Sequence, residues 1–313
     1  MTSHDDRARS LTAARRVGYR LLPGEAFSYI LHLRPREWPI MAVHTALGFF
    51  LARSGGAPPR GATPGALAVA LIAWVVCLNG GTLALNSAFD RDDGDIGYLD
   101  APPPPPQHLA LWGIALMAVG QGIALLLPRE FAIAYVICVV LSLLYSAPPV
   151  RLKSVGGADW IINMVGFGAL TPYAGWAATG RPLTSAAGWT FVAFALLFAA
   201  LYPLTQLYQL DEDLRRGDRT LAVVLGMRRS LGLALGAAAA AFLCFARAAR
   251  LYGAGARGWL ALALAAAAWS VVLVPWLVRC RRMSGGEHKR GMYAALIAWA
   301  ITDGAILAVA FLP

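Results

Sequence analysis

Long apolar runs recur along the whole chain, and a chain built from such runs folds in a lipid bilayer. A helix crossing a hydrocarbon core of about 30 Å needs about 20 mostly apolar residues. Nine such stretches are present, at residues 38–53, 65–86, 107–127, 131–147, 158–179, 185–209, 230–249, 258–278 and 291–312. The first is the weakest, because it follows Arg34, Pro35 and Arg36 and contains His44. Composition agrees: 58% of the 313 residues are apolar, 14% are charged, and the mean hydropathy is +0.58. Soluble domains carry roughly 45–50% apolar and about 25% charged residues. The expected fold class is therefore all-α, a polytopic membrane protein of about nine transmembrane helices.

A net charge of +10 would suggest nucleic acid on a soluble protein. Here the basic residues lie between apolar runs and serve as membrane flanks. With the N-terminus inside, 20 of the 27 Lys and Arg fall on the inner side, which orients the chain with its N-terminus cytoplasmic and its C-terminus outside. The first 37 residues are basic and contain no continuous apolar core, so a cleavable signal peptide is not expected. Residues 17–33 mix apolar and polar side chains and are expected to form a helix on the membrane surface. The remainder, 38–313, reads as one membrane domain. Cys77, Cys138, Cys244 and Cys280 are far apart, with no CxxC pair or Cys/His cluster to indicate zinc or a disulfide framework.

This topology places three loops on the cytoplasmic side, at 87–106, 147–157 and 210–229. The first opens with Asn86-Ser-Ala-Phe-Asp90-Arg-Asp92-Asp93-Gly94-Asp95 and continues into the proline run 102–106, a stiff spacer. Clustered carboxylates at a helix end repel one another unless a cation compensates. Asn86, Asp90 and Asp93 share one helix face at i, i+4 and i+7, an oxygen-donor set suited to a hard divalent ion such as magnesium. The third loop mirrors the first: Gln209 and Asp213 share a face at i, i+4, with Glu212 beside them at i+3. Between them Tyr145-Ser-Ala-Pro-Pro-Val-Arg151-Leu-Lys153 ends the fourth run and supplies two cations suited to phosphate oxygens.

At these residues the chain resembles the UbiA superfamily of intramembrane prenyltransferases. Residues 145–153 are similar to that family's YSxPPxRLK loop, Asn86xxxAsp90 to the start of its first Asp-rich motif, and Asp213xxxGly217 with Arg219-Thr220 to the end of its second. Two positions depart from the pattern. Gly94 stands eight residues after Asn86, where the family has Asp, so Asp93 or Asp95 must substitute. Gln209 stands where the second motif opens with Asp, and Asp211 or Glu212 could restore the charge.

The resemblance implies magnesium-dependent ionisation of an isoprenyl diphosphate in a central cavity, with transfer of the prenyl group to an aromatic or other lipophilic acceptor. Asn86, Asp90, Asp93, Asp95, Gln209 and Asp213 are the candidate metal ligands. Tyr145, Arg151, Lys153, Tyr208 and Asp211 are the candidate substrate-binding residues, and Asn86, Asp90, Lys153 and Asp213 the candidates for catalysis. Charge developing on diphosphate would be stabilised by metal and by Arg151 and Lys153, and an apolar pocket would keep water from the allylic cation. Tyr145, Tyr208, Trp160 and Trp176 are candidates to face that cation. Asn79, Gln121, Asn163, Thr171 and Asp303 are polar residues within or near spans. Asp303 is a candidate for the pocket wall or for a helix–helix bond, and His44 is read as a packing or helix-bonding residue. His108 and His288 are read as loop residues.

Two other readings compete. A UbiA-type terpene cyclase would quench the cation internally without an acceptor. A transporter or scaffold would use the acidic loops to hold cations, but no internal repeat of spans is evident. No Ser/His/Asp set or P-loop occurs, which argues against a hydrolase or an ATPase. No obligate protein partner and no nucleic acid are implied. The expected location is the inner membrane, with the site facing the cytoplasm.

Overall fold

The computed structural model describes residues 13–312 apart from 23, 55, 56, 58, 91–98, 100, 209 and 218, and apart from the side chains of 13, 14, 211, 212 and 216. Every one of the nine apolar stretches is helical. Two short helices, α1 (Ala13–Leu21) and α2 (Ala26–His32), precede them. The single helix expected over 17–33 is thus two, broken where Gly24 takes φ +69°.

The apolar helices are α3 (Trp38–Leu51), α4 (Pro64–Asp90), α5 (Leu109–Ala124), α6 (Arg129–Ser146), α7 (residues 158–177) and α8 (Ser185–Leu207). After two short helices, α9 (Leu210–Arg216) and α10 (Leu221–Leu225), come α11 (Met227–Tyr252), α12 (Ala256–Arg279) and α13 (Gly285–Phe311). Six of them (α4, α6, α8, α11, α12 and α13) are long and apolar enough to cross a bilayer, and α3 and α5 are shorter apolar helices. The sixth stretch ends earlier than its composition suggests. Helix α8 stops at Leu207 and α9 starts at Leu210, and Gln209, whose shared face with Asp213 was expected, lies outside the described residues.

Local chemistry sets the helix ends. Thr63 and Thr184 accept the backbone N–H groups of Ala66 and Ala187, and Ser284 with Glu287 forms a reciprocal cap on α13. Pro148 and Pro149 stop α6.

The helices form a ring. α3 packs against α7 on one side and α13 on the other, α4 against α5 and α6, and α8 against α7, α11 and α13. One buried cluster joins α8, α11, α12 and α13, and a second joins α4, α5, α6 and α7. The crossing of α3 with α7 depends on two glycines. A Cβ on Gly48 would lie 1.7 Å from the Pro172 carbonyl oxygen, and one on Gly175 would lie 1.8 Å from that of Thr45. Without a hydrophobic drive between helices in lipid, such close approach is what holds them together. Beyond that crossing, Arg181 donates to the carbonyls of Ala52 (2.6 Å) and Ser54 (2.8 Å) and lies over the Trp176 ring.

Two stretches of the ring wall are π-helical, Ile72–Asn79 in α4 and Met164–Leu170 in α7. Such segments release backbone groups and re-aim side chains. Here Trp74 Nε1 donates to Thr171 Oγ1 at 3.2 Å, and Thr171 donates to the Gly166 carbonyl at 3.1 Å. The two irregular segments are thereby tied together across the interior.

Gly175→Ala should cost about 1–3 kcal/mol of stability through overpacking. A clearly lowered thermal-unfolding midpoint in detergent would show it. Gly236→Ala, where a Cβ meets nothing within 4 Å, should leave that midpoint unchanged.

Candidate active site

The ring encloses a cavity of about 400 Å³ lined by residues of α3, α4, α6, α7, α8 and α13. Its wall is mostly apolar, and its polar mouth lies where α4, α6 and α8 end and α3 and α13 begin. Asn86, Asp90, Tyr145, Lys153, Tyr208 and Asp213, six of the residues singled out in the sequence, all line it. Asp93, Asp95 and Gln209 lie outside the described residues, as does the side chain of Asp211.

Asn86 and Asp90 sit one turn apart on α4, as their spacing predicts. Lys153 forms an ion pair with Asp90 and donates to Asn86 Oδ1 at 3.3 Å. Arg151 does not line the cavity, but its guanidinium reaches the same Asp90 oxygen at 3.5 Å. Residues two apart on a regular helix would point to opposite sides. Arg151 instead takes φ +37°, ψ +56° ahead of a tight turn over Leu152–Ser154, and that turn brings both cations to one carboxylate. A left-handed conformation costs a non-glycine residue roughly 1–2 kcal/mol, so the surrounding contacts must hold it there. The Asp90 carboxylate, 8% exposed at its side chain, is balanced by these two cations.

The second acidic motif is held by groups that its own sequence does not reveal. Asp213 accepts a hydrogen bond from Thr220 Oγ1 at 3.1 Å. Thr220 precedes α10, and α10 is fixed by Asp159, whose residue is fully buried. One Asp159 oxygen accepts the Gly157 backbone N–H at 2.9 Å. The other accepts Gln206 Nε2 at 2.9 Å and the Leu221 N–H at 3.2 Å. Gln206 Oε1 in turn accepts the Ala222 N–H at 3.1 Å. A β-bridge between Val155 and Arg219 joins the same two loops. Asp159 and Gln206 were not anticipated. The only signal was an acid two residues after a Gly-Gly pair at the start of an apolar run, and it was masked by the neighbouring Arg/Lys motif.

Three more charged residues line the mouth: Arg34, Glu37 and Lys289. In the sequence they resemble ordinary membrane flanks. Arg34 Nη2 donates to Ser87 Oγ at 3.4 Å. Burial pushes the Glu37 carboxyl up to about 6, with the Arg34 charge opposing the shift.

The aromatic expectations divide. Tyr145 and Tyr208 line the cavity, and the Tyr145 hydroxyl lies 3.0 Å from that of Tyr202. Trp160 and Trp176 do not: Trp160 donates to the Ala199 carbonyl, and Trp176 donates to Arg181 at the far end of the bundle. Each is fixed by its indole N–H to a backbone acceptor away from the cavity. The rings that face the interior are Phe167 stacked on Phe198 at 5.5 Å, Tyr202 and Trp299 beside Phe198, and Trp74.

Of the polar residues inside spans, Asn79, Asn163 and Thr171 line the cavity, whereas Gln121 bonds the Ala132 carbonyl elsewhere. His44 lines it and pairs with Asp303. His288 is not a loop residue: it is buried in α13 and accepts the Trp276 indole N–H at 2.8 Å. His108 caps the start of α5, outside the helix, as expected.

The donor set at the mouth fits a hard cation. Asn86, Asp90 and Asp213 offer amide and carboxylate oxygens as hard donors. Among the described residues there is no cluster of three His, Cys, Asp or Glu side chains, so a metal here would complete its shell with substrate oxygens or water.

Residues 41–297 match the UbiA prenyltransferase family. The chain belongs to that family. It is 31% identical over 299 residues to a digeranylgeranylglyceryl phosphate synthase of Natronomonas pharaonis, an alignment covering 88% of this chain and 96% of that protein. Its fold is similar to that of a UbiA homolog from Archaeoglobus fulgidus bound to DMAPP and Mg2+ (TM-score 0.64, 20% identity, 89% of this chain and 99% of that one). It is also similar to a UbiA homolog from Aeropyrum pernix K1 (TM-score 0.61, 21% identity, 85% and 96%). This chain is accordingly an integral membrane transferase of prenyl groups.

Two predictions test this reading of the mouth. Asp159→Ala leaves three buried donors without an acceptor, at a cost of about 1–3 kcal/mol for each group left unpaired. It should lower the thermal midpoint and also speed hydrogen exchange at Leu221 and Ala222. Glu37 is raised from 4.5 to about 6, so its ionisation opposes folding. Relative to the protonated form, stability is full below about 4.5 and is lost as pH rises through 6. Glu37→Gln should abolish that segment of the stability–pH curve and be the more stable form at pH 7.

Proposed function

We propose that this protein is a magnesium-dependent intramembrane prenyltransferase. It ionises an isoprenyl diphosphate at the mouth of the cavity and transfers the prenyl group to a lipophilic acceptor. The observation that carries this reading is the meeting of two acidic motifs and a cationic turn at one end of an apolar chamber. Asn86, Asp90 and Asp213 would hold metal, with Asp93 or Asp95, and Gln209, completing the set. Arg151, Lys153 and Tyr145 would bind the diphosphate, with Tyr208 and Asp211 beside it. Bound magnesium would neutralise charge on the diphosphate oxygens.

The chain's own groups account for the remaining chemistry. Lys153 lies against both Asn86 and Asp90. The same ammonium would also meet the departing diphosphate, where the charge grows as the C–O bond breaks. The apolar wall excludes water from the allylic cation, and the rings of Phe167, Phe198, Tyr202 and Trp299 offer π-faces to it. The Natronomonas relative's name and the DMAPP and Mg2+ bound to the Archaeoglobus homolog support this reading.

The orientation follows from the distribution of Lys and Arg. Residues 1–37 form a basic cytoplasmic segment and 38–313 the nine-span transferase domain, in the inner membrane with the mouth toward the cytoplasm. A charged, water-soluble diphosphate head then meets the site from the aqueous side, and its chain extends among the helices.

In purified protein supplied with geranylgeranyl diphosphate, magnesium and a lipophilic acceptor, Asp90→Ala should reduce turnover by ~100-fold or more, with the thermal midpoint retained. Product mass spectrometry decides the class. An adduct of prenyl group and acceptor supports transfer, whereas a cyclic terpene formed without acceptor would overturn it.

A further inference from the structure

Deep in the same chamber two polar side chains present atoms that no protein group among the described residues satisfies. His44 on α3 is 4% exposed. Its Nδ1 lies 3.3 Å from Asp303 Oδ1 on α13, and its ring packs edge-on against Phe194 (4.7 Å) and Trp299 (5.1 Å). Its other nitrogen, Nε2, is buried and has no protein partner. Asn79 on α4, also 4% exposed, has a partner for neither its amide nitrogen nor its amide oxygen. Both residues line the cavity.

Their depth separates them from the charged mouth. Asn79 precedes Asn86 by seven residues and His44 follows Glu37 by seven, which at 1.5 Å per residue puts both about 10 Å further into the bundle. The charged side chains lining the cavity, Arg34, Glu37, Asp90, Lys153, Asp213 and Lys289, all sit at helix ends around the mouth. Asn79 closes the π-helical segment of α4, an irregularity that concentrates at functional sites. Asp303 fixes the imidazole so that Nε2 keeps one direction.

The geometry points to a second subsite, with no Lys or Arg among its described residues, that binds the hydroxyl group of a lipophilic substrate. On the function proposed above, that substrate is the prenyl acceptor. Buried polar atoms are retained where something satisfies them. Asn79 offers both a donor and an acceptor, and Nε2 offers one or the other according to which ring nitrogen carries the proton. A hydroxyl both donates and accepts, so it can pair with Nε2 in either form or with either atom of the Asn79 amide. An anionic head would find no cation at this depth. A pure hydrocarbon would leave all three atoms unpaired, which is how a hydrogen-bonding pocket rejects an analogue lacking the group. The acceptor therefore lies beside the donor's chain: this hydroxyl, about 10 Å below the diphosphate layer, anchors it, and a different atom nearer the mouth takes the prenyl group.

The test is a titration of the full chain in phosphatidylcholine nanodiscs, with 15N-labelled histidine side chains. The sequence holds five histidines, and the His44 signal is identified by its loss in His44→Gln. The probes are 4-nonylphenol and 1-hexadecanol, with nonylbenzene and hexadecane as their hydroxyl-free counterparts. The expected result is a saturable shift of the His44 signal with both hydroxyl probes and none with the hydrocarbons. Binding should weaken at least tenfold in Asn79→Leu and persist in Asp90→Ala. Equal shifts with the hydrocarbons, or no saturable shift with either hydroxyl probe in the unaltered protein, would overturn the subsite. Loss of the shift in Asp90→Ala would move the probe to the mouth and overturn it too. Because the readout is binding, its failure is distinct from failure of prenyl transfer: loss of diphosphate turnover with the shift intact would discard only the transferase reading.

Discussion

The Asp90 carboxylate is the constraint around which the site is organised. It is nearly buried at the end of an apolar helix, where an isolated anion costs several kcal/mol, and two cations from one turn hold it there. That single requirement explains why Arg151 adopts a left-handed backbone. It also explains why Lys153 lies between Asn86 and Asp90 rather than in solvent, and why α6 stops at a proline pair just before the turn. The same cations that balance the carboxylate are the ones a diphosphate would meet. On the proposed function, the site has its counter-charges in place in the protein itself.

Holding the second acidic motif is a separate problem, because α8 does not run on through it. The break after Leu207 frees Asp213 from the helix axis. The chain then restores order with one buried acid: Asp159 accepts the start of α10 and the Gln206 amide, and Gln206 accepts Ala222. Thr220, between these anchors, reaches Asp213. The loop after α6 and the loop after α8 are thus one mechanical unit, joined also by the Val155–Arg219 bridge. A shift in the cationic turn would carry the second acidic motif with it.

Much of this was legible from the residues alone. The nine apolar stretches and the i, i+4 face of Asn86 and Asp90 depend on local spacing, which sequence states directly, whereas the ion pairs of Arg151 and Lys153 with Asp90 join distant segments. What was hidden depends on long-range neighbours. Asp159 is 47 residues from Gln206, and His44 is 259 from Asp303, so neither partnership has a local pattern. Trp160 and Trp176 were placed on the wrong side of their helix for a related reason. The π-helical stretch between them rotates α7 relative to a regular helix, and each indole follows a backbone carbonyl away from the cavity. The end of α8 at Leu207 falls inside the expected sixth stretch, because its run of apolar residues carries no capping signal at that point.

The irregular helices also set the character of the chamber. A regular bundle of Leu, Ala and Phe would close on itself, since lipid-embedded helices gain by tight packing. Two π-helical walls facing one another, bridged by Trp74 and Thr171, keep the interior open without leaving a released carbonyl unsatisfied: Thr171 takes that of Gly166. The openings differ in kind along their length. Among the described residues, the Lys and Arg side chains lining the cavity are confined to the mouth, where helix termini and solvent meet, and the acid at depth, Asp303, is paired with His44. On the proposed function, a cavity graded in this way sorts a substrate by its ends, with the anionic group at the mouth and the hydrocarbon below.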